Sequence, residues 1–386
     1  MIAGTQWGEL KEVVVGVADN ACFIPEQPAM VPSINLEGGS GATNGKIENV
    51  GACIDAELPW PRGRKKQATI DAANKQLDNL AGIFESRGIR VLRPDRSFDW
   101  DTPLNTPLFQ SPHQYCSTCG RDSLITLGNI IMEAAMSRRD RYFEVLAYRD
   151  IIHDLRASDK NMFWKAAPRP SMRDEMYNSE WWQLDEKERY ANMHNFSFCI
   201  TEDEPIFDAA DITRCGKDIF VQLSMTCNHA GIEWLRKELT PHGFRVHMLR
   251  FPYDLAPSHL DCTFVPLRPG LILTNPERPV LETDAEIFKK NGWKFIEAPL
   301  PNNPVRPWAS QSSKWLSMNV LVIGPNTVVV EEKETNMHEL LEKNDFEVVK
   351  VPFRDVYEFG GGLHCATWDI ERDDAMEDFF PYQDNT

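Results

Sequence analysis

The sequence predicts an α/β protein in which one unit of strands, helix and strand is repeated five times. Three observations carry this. Amphipathic helical stretches recur along the chain; each ends at a break at or near Gly or Asp and runs into an apolar strand closing at or near Pro; and strand-like residues precede each helix. The first unit has strand-like residues at 12–17, a helix over 77–88 with Leu77, Leu80, Ile83 and Phe84 on one face, and a strand over 89–94. The second runs through 123–127, 148–155 and 163–168, and the third through 219–223, 232–239 and 244–249. The fourth uses 271–274, 285–290 and 293–299, and the fifth uses 327–330, 337–344 and 346–352. No unit could bury its apolar face alone. Five around an axis would form one closed domain with loops converging on a central site; an ordinary two-domain α/β fold is the alternative. Uneven spacing implies insertions at about 20–67 and 169–198, which lack periodicity, and the Pro- and Gly-rich part of the first reads as a surface loop or lid.

Composition narrows the function. The chain has 386 residues, 42% of them hydrophobic, and a formal net charge of -17. It shows no basic stripe, which argues against a nucleic acid or an anionic membrane as partner, whereas an acidic protein can steer cationic small molecules. No apolar run approaches the roughly 20 residues of a spanning helix. The N-terminus has the features of neither a secretory signal nor a transit peptide, so an intracellular, cytoplasmic protein is expected. Nine cysteines scattered along the chain are no disulfide framework. Cys116 and Cys119 form a lone C-x-x-C pair, read as reduced and structural rather than as a metal site.

Three segments carry candidate chemistry. In Gly360-Gly361-Gly362-Leu363-His364-Cys365, consecutive glycines let the backbone approach a ligand closely and hold the Cys on a tight turn. Such a thiol is a nucleophile if a positive partner stands nearby, and a buried loop Cys if none does. Asp208 and Asp211 lie three apart beside small residues, where carboxylates can hold a cation or orient a His, Asp211 being the better candidate for a capping role. In an extended segment His259 and Asp261 point to one face, an acid/base and cation-binding pair; a core histidine is the alternative. Asp122 opens a strand, and Ser312 and Ser313 enter another, where a turn or cap role competes. Cys, His and several Asp together suit a guanidinium. Carboxylates bind its edges through paired hydrogen bonds, a thiolate adds to its carbon, and a His moves the protons.

These motifs resemble the arginine:glycine amidinotransferases and their bacterial relatives, within the guanidine-modifying superfamily that includes arginine deiminases. The resemblance rests on Gly-Arg-Asp at 120–122, Phe-Asp-Ala-Ala-Asp at 207–211, Ser-His-Leu-Asp-Cys-Thr-Phe at 258–264 and Asn-Pro-Glu-Arg-Pro at 275–279. It continues through Ser-Ser-Lys-Trp-Leu-Ser-Met-Asn at 312–319 and Gly-Gly-Gly-Leu-His-Cys-Ala-Thr-Trp-Asp at 360–369, and spans about residues 7–371. It implies a single-domain, five-bladed α/β propeller of pseudo-fivefold symmetry, with Cys365 as the nucleophile, His259 as acid/base and Asp208 as its partner. Asp122 and Asp261 would grip the guanidinium, and Arg278, Ser312 and Ser313 would hold the amino-acid end of L-arginine. No metal or cofactor is implied, and a homodimer is. Where glycine-using members carry Asn-Pro-Met, this chain has Ala256-Pro257-Ser258. Ala256 and Ser258 are thus acceptor-pocket candidates, and a larger primary amine is the expected acceptor. The Ser at 258 and Phe-Val-Pro-Leu-Arg-Pro-Gly at 264–270 are similar to cyanobacterial toxin-biosynthesis amidinotransferases, which points to secondary metabolism. The competing readings are a glycine amidinotransferase, an arginine deiminase or dihydrolase using water, and a catalytically silent arginine-binding propeller.

Overall fold

A computed structural model describes residues 2–25, 28, 61–252, 259–302 and 313–383. Among these, the apolar stretches assemble five three-stranded sheets with the same plan, one antiparallel and one parallel strand pair sharing a middle strand. A parallel pair cannot be closed by a tight turn and needs a crossover. Here each crossover is a helix: Gln67–Ser86, Arg149–Ser158, His229–Leu239, Glu282–Lys290 and Thr335–Lys343. These are the five helices expected from periodicity. The two ends of the chain share a sheet, with Glu9–Val15 pairing antiparallel to Thr367–Asp373 and parallel to Arg90–Leu92.

Two details differ from the sequence reading. The first helix begins at Gln67 rather than near 77, because Ile70, Ala73 and Asn74 continue the buried face of Leu77, Leu80, Ala81 and Phe84. Asn74 hides this continuity as a polar residue on the inner face, where its Oδ1 accepts the Ala18 N–H at 2.8 Å. In the second unit the middle strand is Ile130–Glu133, and the stretch expected there, Leu124–Leu127, is its antiparallel partner. Both strands are buried along their whole length, so neither alternates between polar and apolar residues.

The insertion at 169–198 folds as short turns, Asp174–Met176 and Ser179–Gln183, followed by the helix Glu186–His194. That helix starts with a capping box, in which the Asp185 side chain accepts the Glu188 N–H and the Glu188 carboxylate accepts the Asp185 N–H. Most of the 20–67 insertion, and with it the expected lid, lies outside the described residues. No helix among the described residues is long and apolar enough to cross a membrane.

The sheets are tied together by a buried carboxylate. Asp369 accepts from Arg121 at 2.5 Å, from Arg372 Nε at 2.8 Å and from Arg214, and all four side chains are buried. Arg372 also donates to Gly8 O at 2.6 Å and Val322 O at 2.9 Å, linking segments far apart in sequence. The three cations hold Asp369 well below the usual carboxylate range in spite of its burial.

Candidate active site

A repeated device gathers the site. Short turns of helix open the antiparallel strands of four sheets: Gly120–Ser123 before Leu124–Leu127, Ala209–Asp211 before Ile212–Cys215, Leu260–Cys262 before Phe264–Arg268, and Leu316–Met318 before Leu321–Gly324. In the fifth, the turn carrying Cys365 precedes Thr367–Asp373. These turns bear Asp122, Asp208, His259 with Asp261, Asn319 and Cys365, and successive turns pack on one another. A short turn at a strand entry exposes side chains that a strand interior would bury. One cavity is lined by Asp122, Asp208, His259, Ser313 and Cys365 together with Tyr115, Arg138, Arg141 and Cys262.

The glycine run does two different things. Gly360 takes φ +83°, a left-handed conformation that ends the turn Val356–Phe359. Gly361 and Gly362 are needed for close approach. A side-chain carbon on Gly361 would lie 2.5 Å from Cys119 Sγ, and one on Gly362 would lie 2.7 Å from Asn319 Cβ. Asn319 then fixes the thiol. Its Oδ1 accepts the Cys365 N–H at 3.0 Å, which turns its amide group toward sulfur, where Nδ2 donates to Cys365 Sγ at 3.2 Å and to Cys262 Sγ at 3.3 Å.

Charge is arranged unevenly around this sulfur. Cys365 Sγ donates to Asp261 Oδ2 at 3.2 Å. The hydrogen bond to Cys262, burial, and the charges of Asp261 and Asp122 all push the thiol upward. Across the cavity, His259 Nε2 lies 3.2 Å from Asp208 Oδ2, and its Nδ1 lies 3.6 Å from Asp122 Oδ1. Burial alone would lower His259; Asp122, the bond to Asp208 and the charge of Asp211 override it and hold the imidazole well above its usual value. Asp208 is also buried, but His259, Arg141 and the Ser137 N–H at 2.8 Å keep it ionised below the usual range. Asp261 is drawn down to about 2: burial pushes it up, but the hydrogen bond from His364, the nearby imidazoles of His364 and His259, and the bond from Cys365 together outweigh it. Among the described residues, Asp122 Oδ1 and Asp261 Oδ1 are buried without a hydrogen-bond partner.

Not every expected residue lines this cavity. Asp261 lines a neighbouring one with Gln6 and His364, and meets the site through its contact with Cys365 Sγ. Arg278 is buried away from its lining, donating to Pro252 O at 2.9 Å, Thr263 Oγ1 at 2.8 Å and Gln222 Oε1 at 3.2 Å. Ser312, Ala256 and Ser258 lie outside the described residues. Sequence reasoning missed Asn319, Tyr115, Arg138, Arg141, Cys262 and His364. Arg138, Arg139, Asp140 and Arg141 are all buried; Arg138 pairs with Asp140, and Arg141 bonds Glu144 at 2.5 Å and Asp122 at 2.5 Å. Among the described residues there is no group of His, Cys, Asp and Glu able to hold a metal ion.

A fold of repeated α/β units with a thiol, an imidazole and buried carboxylates in one cavity defines a guanidine-modifying class, and a family model described as arginine deiminase matches residues 272–372. The glycine amidinotransferase of Gallus gallus mitochondria is 38% identical over 375 residues, covering 97% of this chain and 83% of that protein. The L-arginine:L-lysine amidinotransferase of Pseudomonas savastanoi pv. phaseolicola is 36% identical over 97% of this chain and 95% of its own length. Among solved structures, SxtG, an amidinotransferase of the saxitoxin biosynthetic pathway from Microseira wollei, superposes with a TM-score of 0.82 at 30% identity, covering 98% of this chain and 99% of that one. The chain belongs to the amidinotransferase family, and is thus a transferase.

Proposed function

We propose that the chain moves the amidino group of L-arginine, through a covalent adduct on Cys365, to a primary amine, and releases ornithine. The observation that carries this reading is the pair of orphaned oxygens, Asp122 Oδ1 and Asp261 Oδ1, on two buried carboxylates close enough to bias the thiol. A buried acceptor without a donor is costly unless a ligand supplies one, and a guanidinium offers N–H donors on both edges. Held flat between the carboxylates, its carbon is open to the Cys365 thiolate. His259, kept protonated by Asp122 and Asp208, gives its proton to the departing ornithine nitrogen. The neutral imidazole then takes a proton from the incoming amine as that amine attacks the amidino carbon and expels the thiolate.

Five sheets of one plan, one of them shared by both ends of the chain, support a single-domain, five-bladed propeller as the frame. The acceptor is a larger amine than glycine, in secondary metabolism. This is supported by Ala256 and Ser258 in place of bulkier residues, and by the likeness to amidinotransferases named for lysine and for saxitoxin biosynthesis. Incubation with arginine and a panel of amines including glycine and lysine, followed by mass spectrometry, tests both points. The expected results are ornithine formation that depends on an amine, a guanidinylated amine product, and a one-amidino adduct on Cys365 with arginine alone. Citrulline formed without any amine would make it a hydrolase, and binding without an adduct would make it a silent propeller. Transfer surviving in Cys365→Ala would rule out the covalent route.

A further inference from the structure

The surroundings of the Cys365 sulfur resist negative charge. The hydrogen bond with Cys262, burial, and the charges of Asp261 and Asp122 push the thiol well above its ordinary value, so sulfur rests as a thiol. In the reaction proposed above it must still carry charge twice, when it attacks arginine and when it is expelled from the adduct. A donor aimed at sulfur would offset the carboxylates at those moments. A cationic donor would also repel the guanidinium that the carboxylates attract; a neutral one would not.

Asn319 is such a donor. It is buried just beyond the turn Leu316–Met318 and holds the Cys365 loop at three points. Its main-chain O accepts the His364 N–H at 3.3 Å, its Oδ1 accepts the Cys365 N–H at 3.0 Å, and its Nδ2 donates to Cys365 Sγ at 3.2 Å. The middle contact fixes the amide. A main-chain N–H only donates, so the atom that faces it is oxygen, and the NH2 group is left facing sulfur. Its second hydrogen is directed at Cys262 Sγ, 3.3 Å away. Gly362 makes room for this arrangement, since a side-chain carbon there would lie 2.7 Å from Asn319 Cβ and 2.8 Å from Oδ1. An N–H bonded to a neutral thiol gains little, whereas one bonded to an anion is charge-assisted. The contact therefore strengthens as charge develops on sulfur, which is the condition for accelerating a step.

We propose that Asn319 is a catalytic residue whose Nδ2–H stabilises the negative charge that develops on Cys365 Sγ as the bond between sulfur and the amidino carbon forms and breaks. In discharge of the adduct, the amine nitrogen bonds to the amidino carbon and the carbon–sulfur bond breaks with its electron pair passing to sulfur. The amine's proton goes to the neutral His259, and the Asn319 N–H tightens onto the thiolate without giving up its hydrogen. The inference rests on the amidino-transfer reading of this site and assigns the group that makes sulfur an adequate leaving group in it.

The experiment is the exchange of isotope-labelled ornithine into arginine by the full chain, with no other amine present. Exchange requires the adduct both to form and to discharge, and it needs no knowledge of the acceptor. Asn319→Ala should slow exchange by about 10²- to 10³-fold, the range for a lost oxyanion-hole donor. KM for arginine should stay within about twofold, because the contact grows only with charge. Asn319→Asp keeps an oxygen for the Cys365 N–H, and so keeps the loop held, but has no N–H for sulfur. It should lose at least as much, which a role in holding the loop alone would not produce, and it carries the test if Asn319→Ala does not fold. Alkylation of Cys365 by iodoacetamide at pH 8, followed by intact mass, should be about tenfold slower in both variants, as for a thiol raised by one pH unit. Exchange within about threefold of the parent in Asn319→Asp of normal melting temperature would overturn the proposal, as would a loss that appears only as a raised KM. A parent chain that shows neither exchange nor adduct would sink the amidino-transfer reading instead, and slower alkylation in the two variants would still uphold the amide as the donor to sulfur.

Discussion

The imidazoles of His259 and His364 sit in opposite surroundings. His259 is ringed by Asp122, Asp208 and Asp211, and its pKa is driven up; His364 shares its one close carboxylate with the thiol, has Arg121 nearby, and its pKa is driven down. Both are buried or nearly so, and both lie on turns that open a strand. The difference comes from which charges the neighbouring turns deliver. Carboxylates from the turns at 120–123 and 209–211 meet around His259, while the arginine hub centred on Asp369 backs His364. One residue type is thus driven toward its protonated form in one place and toward its neutral form in the other, so the neighbours decide its state.

The comparison can be broken most directly on its acid side. His259→Asn should lower kcat by about 10²- to 10⁴-fold, the range of a lost general acid–base, as read from steady-state kinetics. A loss of less than about tenfold would show that His259 is not the general acid. The frame behind His364 should be next in size. Asp369→Asn leaves Arg121, Arg214 and Arg372 without their shared counter-charge and should cost about 3–5 kcal/mol of stability, read from urea unfolding.

Asp122→Asn sharpens the comparison. It removes the charge that most raises His259, so the basic limb of kcat should move to lower pH, and kcat/KM for arginine should fall about 10- to 100-fold with one guanidinium acceptor weakened. The smallest effect belongs to Asp211. Burial raises its carboxyl to about 7, and it accepts from Thr226 at 2.6 Å and Gln222 at 2.9 Å rather than touching the imidazole. A carboxyl whose folded value lies above its unfolded one binds more protons when folded, so its contribution to stability falls as pH rises from about 4 to about 7. Asp211→Asn should change kcat by less than about threefold and should make the melting temperature at pH 8 closer to that at pH 5. A larger loss of activity would place Asp211 among the groups that act on substrate.

Much of this architecture was legible in the residue order. The five helices show a one-sided apolar period, and each parallel strand that follows is marked by a Gly, Asn or Asp break, since a chain leaving a helix must turn back onto its sheet. The antiparallel strands were harder to see. Ile212–Cys215 is buried throughout, so no alternation betrays it, and Phe264–Arg268 hides behind the motif that precedes it. At the site, Cys365, His259, Asp208, Asp122 and Asp261 were recognisable because their side-chain chemistry is specific and their segments lack any regular period. Asn319 and His364 lay inside the same motifs without a role, because nothing in their own neighbourhoods shows what they touch.

The sequence by itself determined the repeated unit, the reactive inventory and the family, because apolar periodicity and side-chain chemistry are local properties written residue by residue. Only the tertiary structure decided which histidine is driven up and which down, that Asn319 aims its amide at two sulfurs, and that Arg278 directs its donors at the protein. Those outcomes depend on distances of a few ångströms between residues as far apart as Gln6 and His364. Electrostatic coupling falls off with such distances, whatever the separation along the chain.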